Sequence, residues 1–268
     1  MKQVLAVFLL LLCSQLSAQT GFISSNIRMV QDSVIDGKPK LVLEQSGWRG
    51  EKLNAQVLIT ASRDLANIVI KAGPLLSKKG GTIAAENIQV GFLGYVHADA
   101  YFKGCGYRTP GDLDSSVVAD IIGNDQSVAM KGGEQRTAWF SVKIPADATP
   151  GLYTGNITIE AEKKVKLTYR LRVSEQVLPP ASSWSFDLDL WQHPAAIARV
   201  HRLKLWSEEH FAAMRPYYEM LAAAGQKNVT ASIVHEPWGH QTYDDFPSLI
   251  RWIKQKDGEW RFDYSLFD

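Results

Sequence analysis

Two short segments of the sequence concentrate side chains that can bind a sugar. They supply two indoles, two imidazoles and two carboxylates: Asp189, Trp191, His193, His235, Glu236 and Trp238. Indole rings stack on the apolar face of a pyranose, and carboxylates and imidazoles hydrogen-bond to its hydroxyls. Aromatic rings with a few convergent polar groups are typical of a small-molecule site. We therefore predict that these six residues bind substrate, and that the substrate is a glycan.

Each candidate also has a structural explanation that the sequence leaves open. Trp191 and Trp238 could belong to the core, since tryptophan is mostly buried on average. His193 and His235 could ligate a metal, but no third ligand stands at a diagnostic spacing. Structural imidazoles are therefore favoured, and no metal is predicted. Glu236 is the lone acid that is best placed by position for proton transfer.

The charge balance narrows the class of partner. The formal net charge is +1, from 29 basic and 28 acidic residues, and no block of like charge occurs. This pattern lacks the basic patch that nucleic acid or anionic lipid requires. The sequence also has no phosphate-binding glycine loop, no Gly-x-Ser-x-Gly elbow and no His-Glu-x-x-His motif. We expect a neutral partner and no cofactor.

The first residues are typical of a secretory signal peptide. Lys2 is followed by an apolar stretch over 4–13 and then by small and polar residues. The apolar stretch is shorter than the ~20 residues of a spanning helix, so residues 1–18 are predicted to be cleaved. Cys105 is then the one cysteine of the mature chain, and no disulfide is expected. The protein is predicted to be periplasmic or extracellular and free of the membrane after cleavage.

Residues 20–178 are predicted to form a β-sandwich domain. Eight short runs rich in β-branched and aromatic residues are separated by turn sequences such as Pro150-Gly151. No long helical pattern interrupts them. This spacing favours two packed, antiparallel sheets.

The pattern changes after Pro179-Pro180, which cannot continue a sheet ladder. The sequence predicts a strand over 184–191, a helix over 207–225, a strand over 228–235 and a helix over 247–254. This order is the beginning of a parallel α/β domain, and the candidate site follows the carboxyl ends of its two strands.

The helix over 207–225 carries the clearest signals. Ser207 can cap its amino end, and Phe211, Met214, Tyr218 and Leu221 recur at helical spacing as candidate core residues. A kink or break is expected at Pro216.

A complete (β/α)₈ barrel needs about 250 residues, whereas 88 of the 268 residues remain after Pro180. We interpret residues 181–268 as the first βα units of a truncated barrel. The expected fold is thus a β-sandwich followed by an incomplete (β/α) barrel segment, which makes the chain mixed β and α/β.

Long runs of the mature chain resemble glycoside hydrolase family 123, β-N-acetylgalactosaminidase-like and of Bacteroidetes type. The similar runs include "SGWRGEKLNAQVLI", "PADATPGLYTGNITIEA", "DLDLWQHPAAIARV" and the stretch from "LAAAGQKNVTASIVHEPWGHQTYDD" to "RFDYSLFD". The resemblance implies a β-sandwich, then a catalytic (β/α)₈ barrel. It also implies retention of configuration by substrate assistance, in which the 2-acetamido oxygen attacks the anomeric carbon. An adjacent Asp–Glu pair serves that reaction in the family.

This sequence contains no Asp–Glu dipeptide, so no catalytic residue is assigned in it. We expect the N-terminal portion of an exported glycosidase acting on β-linked N-acetylhexosamine of the N-acetylgalactosamine type, and inactive alone. The alternative is a non-catalytic carbohydrate-binding or scaffold protein. A third reading, a small independent enzyme using Glu236 or Asp189 as its acid, lacks a helper pair.

Overall fold

A computed structural model of the chain describes residues 20–35, 38–98, 116–161, 164–237, 239 and 242–268. The segment 1–18, Cys105 and Trp238 lie outside the described residues. The described chain divides into two compact units, of which the first ends at Leu178 and the second begins at Pro179.

The first unit consists of two β-sheets. The first sheet contains, in spatial order, β1 (Gly21–Ile23), β3 (Lys52–Thr60), β10 (Gln135–Lys143), β7 (Ile88–Ala98) and β8 (Ser116–Ile122). The second sheet contains β2 (Val42–Arg49), β12 (Lys164–Val177), β11 (Gly151–Glu160), β4 (Leu65–Ala72) and β9 (Ser127–Met130), with β5 (Leu75–Ser77) and β6 (Thr82–Ile83) beside β11. Among the described strands, β2 and β12 pair in parallel and the other neighbours pair antiparallel. The predominance of β-structure predicted for this part is confirmed.

Side chains from both sheets form one hydrophobic core. Phe140 on β10 and Tyr169 on β12 are each 1% exposed, and their ring centroids lie 4.9 Å apart in an edge-on contact. Phe22 of β1 packs within 6.5 Å of both rings. Along β12 the buried residues alternate with exposed ones, as expected for a strand with one face on a core. Burying one aromatic side chain of this kind contributes about 1.5–3 kcal/mol.

The hydroxyl of Tyr169 has a defined partner inside this unit. It donates a hydrogen bond to Oε1 of Gln45 on the neighbouring strand β2, at 2.8 Å. Burial raises the pKa of Tyr169 far above its ordinary value, and the negative charge of Glu51 adds to that rise. The folded unit therefore stabilises the neutral phenol of Tyr169 relative to the phenolate.

We predict that stability falls as the pH rises above about 10, the ordinary pKa of tyrosine. In the unfolded chain Tyr169 ionises there, while in the folded chain it stays protonated, so each further pH unit costs about 1.4 kcal/mol. Urea denaturation of the full chain over an alkaline pH series measures this slope. Tyr169→Phe should lower the slope by about one proton equivalent. The exposed control Tyr264→Phe should leave it unchanged; equal slopes in all three proteins would refute the assignment.

The second unit contains two helices and a β-hairpin among its described residues. Helix α1 spans Pro194–His201, helix α2 spans Glu208–Ala223, and strand β13 (Arg251–Lys254) pairs antiparallel with β14 (Trp260–Asp263). The helices are linked by a hydrogen bond between His201 Nε2 and the Tyr217 hydroxyl, at 2.9 Å.

Helix α2 agrees with the sequence at its ends and differs along its length. The Ser207 side chain caps it by accepting from the backbone N–H of His210, as predicted. A kink or a break was expected at Pro216; the helix continues through that residue, so the break does not occur. Met214 is buried, but Phe211 is 47% exposed and does not belong to the core. The helix buries a narrower apolar stripe than its spacing suggested.

The helix predicted over 247–254 is wrong. Arg251–Lys254 forms a strand because its backbone pairs antiparallel with Trp260–Asp263 across a turn. Gly258 at that turn has a φ of 94°, a conformation that glycine adopts without strain. Asp257-Gly258 between two alternating runs is a hairpin signal, and it outweighs the apparent helical spacing.

The predicted strands over 184–191 and 228–235 are irregular in the described chain. The two segments run side by side in parallel, with a single ladder bridge between Leu188 and Gln226. Ile233 and Val234 are exposed, so the second segment is not the buried strand that its composition suggested.

Candidate functional site

A buried glutamine holds together the two segments that carry the candidate site. Gln226 is 7% exposed, and its Oε1 accepts from the backbone N–H of Leu190 at 3.0 Å. Its Nε2 donates to the carbonyl of Leu190 at 3.0 Å and to that of Asn228 at 2.8 Å. One amide side chain thus satisfies both backbone groups of Leu190, as a neighbouring strand would.

Gln192 makes the reciprocal connection from the first segment. It is also 7% exposed, and its Oε1 accepts from the backbone N–H of Thr230 at 2.8 Å. Its Nε2 donates to the carbonyl of Leu190. The two glutamines replace the missing ladder bonds, so the segments keep a parallel course where regular pairing has ended. The sequence does not show this role of the two glutamines, because the residue type alone does not show that the partner is a backbone group.

This connection leaves an aromatic and an acidic side chain on the outside of the unit. Oδ1 of Asp189 accepts from the Thr230 hydroxyl at 3.3 Å, which joins the two segments a third time. Trp191 is 63% exposed, so the core explanation for this indole does not hold. Asp189 and Trp191 are therefore both exposed to solvent in the first segment, and Thr230 of the second segment bonds to the first of them.

His193 contacts protein rather than open solvent. Its Nε2 lies 2.9 Å from the carbonyl of Asp244 and 3.2 Å from the Thr242 hydroxyl, and its ring stacks on Phe246 with centroids 3.7 Å apart. A carbonyl accepts only, so Nε2 carries the proton. Among the described residues, buried Nδ1 has no hydrogen-bond partner. His193 fixes the loop 242–246, as the structural alternative suggested.

Glu236 also has a structural role in the described chain. Its backbone adopts a φ of 47°, and its N–H donates to the carbonyl of Phe246 at 3.0 Å. Its carboxylate accepts from the backbone N–H of Phe246, so the residue closes the loop from both its main chain and its side chain. His235 next to it is exposed. Trp238, the sixth candidate, lies outside the described residues.

Two further residues that sequence reasoning missed position this loop and helix α1. Nε of Arg199 donates to both carboxylate oxygens of Asp244, at 2.8 and 2.9 Å. His210 is fully buried; its Nδ1 accepts from the N–H of Trp206 at 3.0 Å, and its Nε2 donates to the carbonyl of Pro194 at 2.9 Å. This histidine joins the start of α1 to the start of α2. His210 lies one helical turn before the buried Met214, on the same face of α2. A search for apolar residues at helical spacing passes over it because histidine is polar.

The enclosed space at these residues is small. A cavity of about 20 Å³ lies among Gln192, His193, Trp206, Thr230 and Phe246. That is room for about one water molecule. This cavity is therefore too small to enclose a sugar ring.

Within the described ranges, no three His, Cys, Asp or Glu side chains are grouped closely enough to hold a metal ion. In the same part of the chain, no helix is both long and apolar enough to cross a bilayer.

We predict that Gln226→Leu destabilises the second unit by about 1–3 kcal/mol, because a leucine removes the partner of the partly buried Leu190 N–H and Asn228 carbonyl. Hydrogen exchange at the Leu190 amide, which donates to Gln226, should speed up in the variant. The matched control Gln255→Leu changes an exposed glutamine of the hairpin turn and should leave that amide protected. Unchanged exchange in Gln226→Leu would show that the amide pairing does not hold the segments.

Two family models match the chain. Residues 22–161 match the glycoside hydrolase 123 N-terminal domain, and residues 191–268 match the glycoside hydrolase 123 catalytic domain. No curated protein matches the chain.

Solved structures give a similar result. The chain is similar to a family 123 glycoside hydrolase from Clostridium perfringens that was studied for the hydrolysis of glycolipid glycans, with 30% identity and a TM-score of 0.81. The match covers 92% of this chain and 44% of that chain, so the present sequence spans less than half the length of its relative. A match to MyfA, the major subunit of Myf fimbriae from Yersinia enterocolitica, has 12% identity and a TM-score of 0.30, covers 58% of this chain and 98% of that one, and supports no structural argument.

Proposed function

Because the chain belongs to glycoside hydrolase family 123, we propose that it forms the N-terminal domain and the first part of the catalytic domain of a glycosidase for β-linked N-acetylhexosamine. The sugar proposed is of the N-acetylgalactosamine type. The observation that carries the proposal is the match of the catalytic-domain model, which begins at Trp191. That residue is an exposed indole of the second unit.

We assign the accessible residues to sugar binding. The face of Trp191 would stack on a pyranose ring, and Asp189 and Thr230 would bond its hydroxyls. The internal contacts of His193 and Glu236 give these two residues a positioning role instead. Together they hold the loop that follows the second segment, so they determine the shape of the site without contacting the sugar.

The reaction proposed is substrate-assisted hydrolysis with retention. The 2-acetamido oxygen of the substrate attacks the anomeric carbon, which replaces the enzyme nucleophile of the usual two-carboxylate scheme. An aspartate would orient the acetamide and an adjacent glutamate would protonate the leaving oxygen. The 268 residues contain no Asp–Glu pair, so these two roles fall outside them. Residues 181–268 would then be the first βα units of a (β/α)₈ barrel, and residues 1–18 would direct export to the periplasm or beyond.

The test compares the 268-residue chain with the longest reading frame that contains it, using an aryl β-N-acetylgalactosaminide as substrate. We expect no hydrolysis by the 268 residues, because general acid help worth roughly 10²–10⁴ in rate is missing. The longer frame should hydrolyse the substrate with retention, which NMR of the first-formed anomer reports. Hydrolysis by the 268 residues that Glu236→Gln abolishes would contradict the assignment. If both proteins bind the sugar and neither cleaves it, the non-catalytic alternative is favoured.

In the protein encoded by the longer reading frame, Trp191→Ala and Asp189→Asn should each lower kcat/KM at least about tenfold. This loss is equivalent to ~1.4 kcal/mol of transition-state stabilisation. The control Leu152→Ala changes an exposed apolar residue of the first unit and should leave kcat/KM unchanged. Wild-type kinetics in both site variants would remove these residues from the substrate site.

A further inference from the structure

The turn between β2 and β3 borders an open cleft in the first unit. The cleft has a volume of about 470 Å³ and is lined by Ser46, Gly47, Trp48, Glu51, Ser174 and Leu178. All of these residues belong to the first unit. The volume falls in the range of about 300–1,000 Å³ that is typical of small-molecule sites.

The indole at this cleft is exposed on a rigid support. Trp48 is 47% exposed, and its backbone N–H donates to Oε2 of Glu51 at 2.8 Å. The N–H of Glu51 donates back to the carbonyl of Trp48 at 3.2 Å. Between them, Gly50 has a φ of 87° and donates to the carbonyl of Ile144 at 2.8 Å. The backbone that carries this ring is therefore already ordered before a ligand binds.

The rest of the lining determines the chemistry of the ligand. Glu51 is the sole charged residue among those that line the cleft, and it is negative, so an anionic ligand such as a phosphate or a sulfated sugar is disfavoured. Ser46 and Ser174 add hydroxyls, and Leu178 adds an aliphatic side chain. In the described part of the chain, the buried Oγ of Ser174 has no hydrogen-bond partner. The ligand that fits has a flat apolar face and neutral hydroxyls at its edge.

We propose that this cleft binds a neutral pyranose unit of a glycan, at a site separate from the candidate site of the second unit. One ring face stacks on Trp48, and the ring hydroxyls bond to the Glu51 carboxylate and the exposed Ser46 hydroxyl. The proposal does not depend on hydrolysis, because a domain that binds sugar in this way would do so in a catalytic or a non-catalytic protein.

The experiment follows the indole N–H signal of Trp48 by NMR in the full 268-residue chain, with lactose and N,N′-diacetylchitobiose as probes at millimolar concentration. Loss of one indole signal in Trp48→Phe assigns it. We expect at least one disaccharide to shift this signal, and Trp48→Ala to weaken that disaccharide's affinity in calorimetry at least about tenfold, or ~1.4 kcal/mol. Trp48→Phe keeps an aromatic ring and should retain part of the affinity.

Two further variants separate binding from folding. Trp260→Ala removes an equally exposed indole, 51% exposed on the hairpin, and should leave the affinity unchanged. Ser46→Ala removes an exposed hydroxyl of the cleft lining, so it should weaken binding without lowering the melting temperature. The proposal is overturned if neither disaccharide moves the Trp48 signal, or if Trp48→Ala and Trp260→Ala weaken binding equally.

Discussion

The second unit depends on the pairing between the amide of Gln226 and both backbone groups of Leu190. A side-chain amide has the same donor and acceptor as a peptide group, so it can take the place of a neighbouring strand. This role of the amide matters because the two described segments share one regular β-bridge, between Leu188 and Gln226. With the amide in place, Asp189 and Trp191 are presented by a backbone that is fixed on one side and open on the other.

The candidate site residues therefore divide into two groups, those that hold a loop in place and those that are exposed to solvent. His193, Glu236 and the Arg199–Asp244 ion pair are engaged with backbone or with each other, and they hold one loop in place. Asp189 and Trp191 are exposed to solvent. Sequence spacing could bring the first group near a ligand, but only the contacts show that these side chains already bond to protein groups.

The sequence was informative where a signal is local. Strand composition predicted the β-rich first unit, and the Ser207 cap predicted where α2 begins, because both depend on neighbouring residues. It failed where a distant partner decides. Arg251–Lys254 pairs with a strand across a turn, and Gln226 finds its partner 36 residues away, at Leu190. The partner of a buried amide cannot be deduced from composition. The hairpin, in contrast, has a local signal in the sequence, the Asp257-Gly258 turn.

The parallel pairing of β2 with β12 sets a timing constraint on the synthesis of the first unit. Glu44 and Arg170, which face each other in these strands and form an ion pair, are 126 residues apart. At a synthesis rate of about 5–20 residues per second, β2 waits roughly 6–25 s for its partner to leave the ribosome. Strand β2 is the first strand of the second sheet to be synthesised, but its backbone is among the last to be paired. Any factor that shields nascent chains would have its longest task at Val42–Arg49.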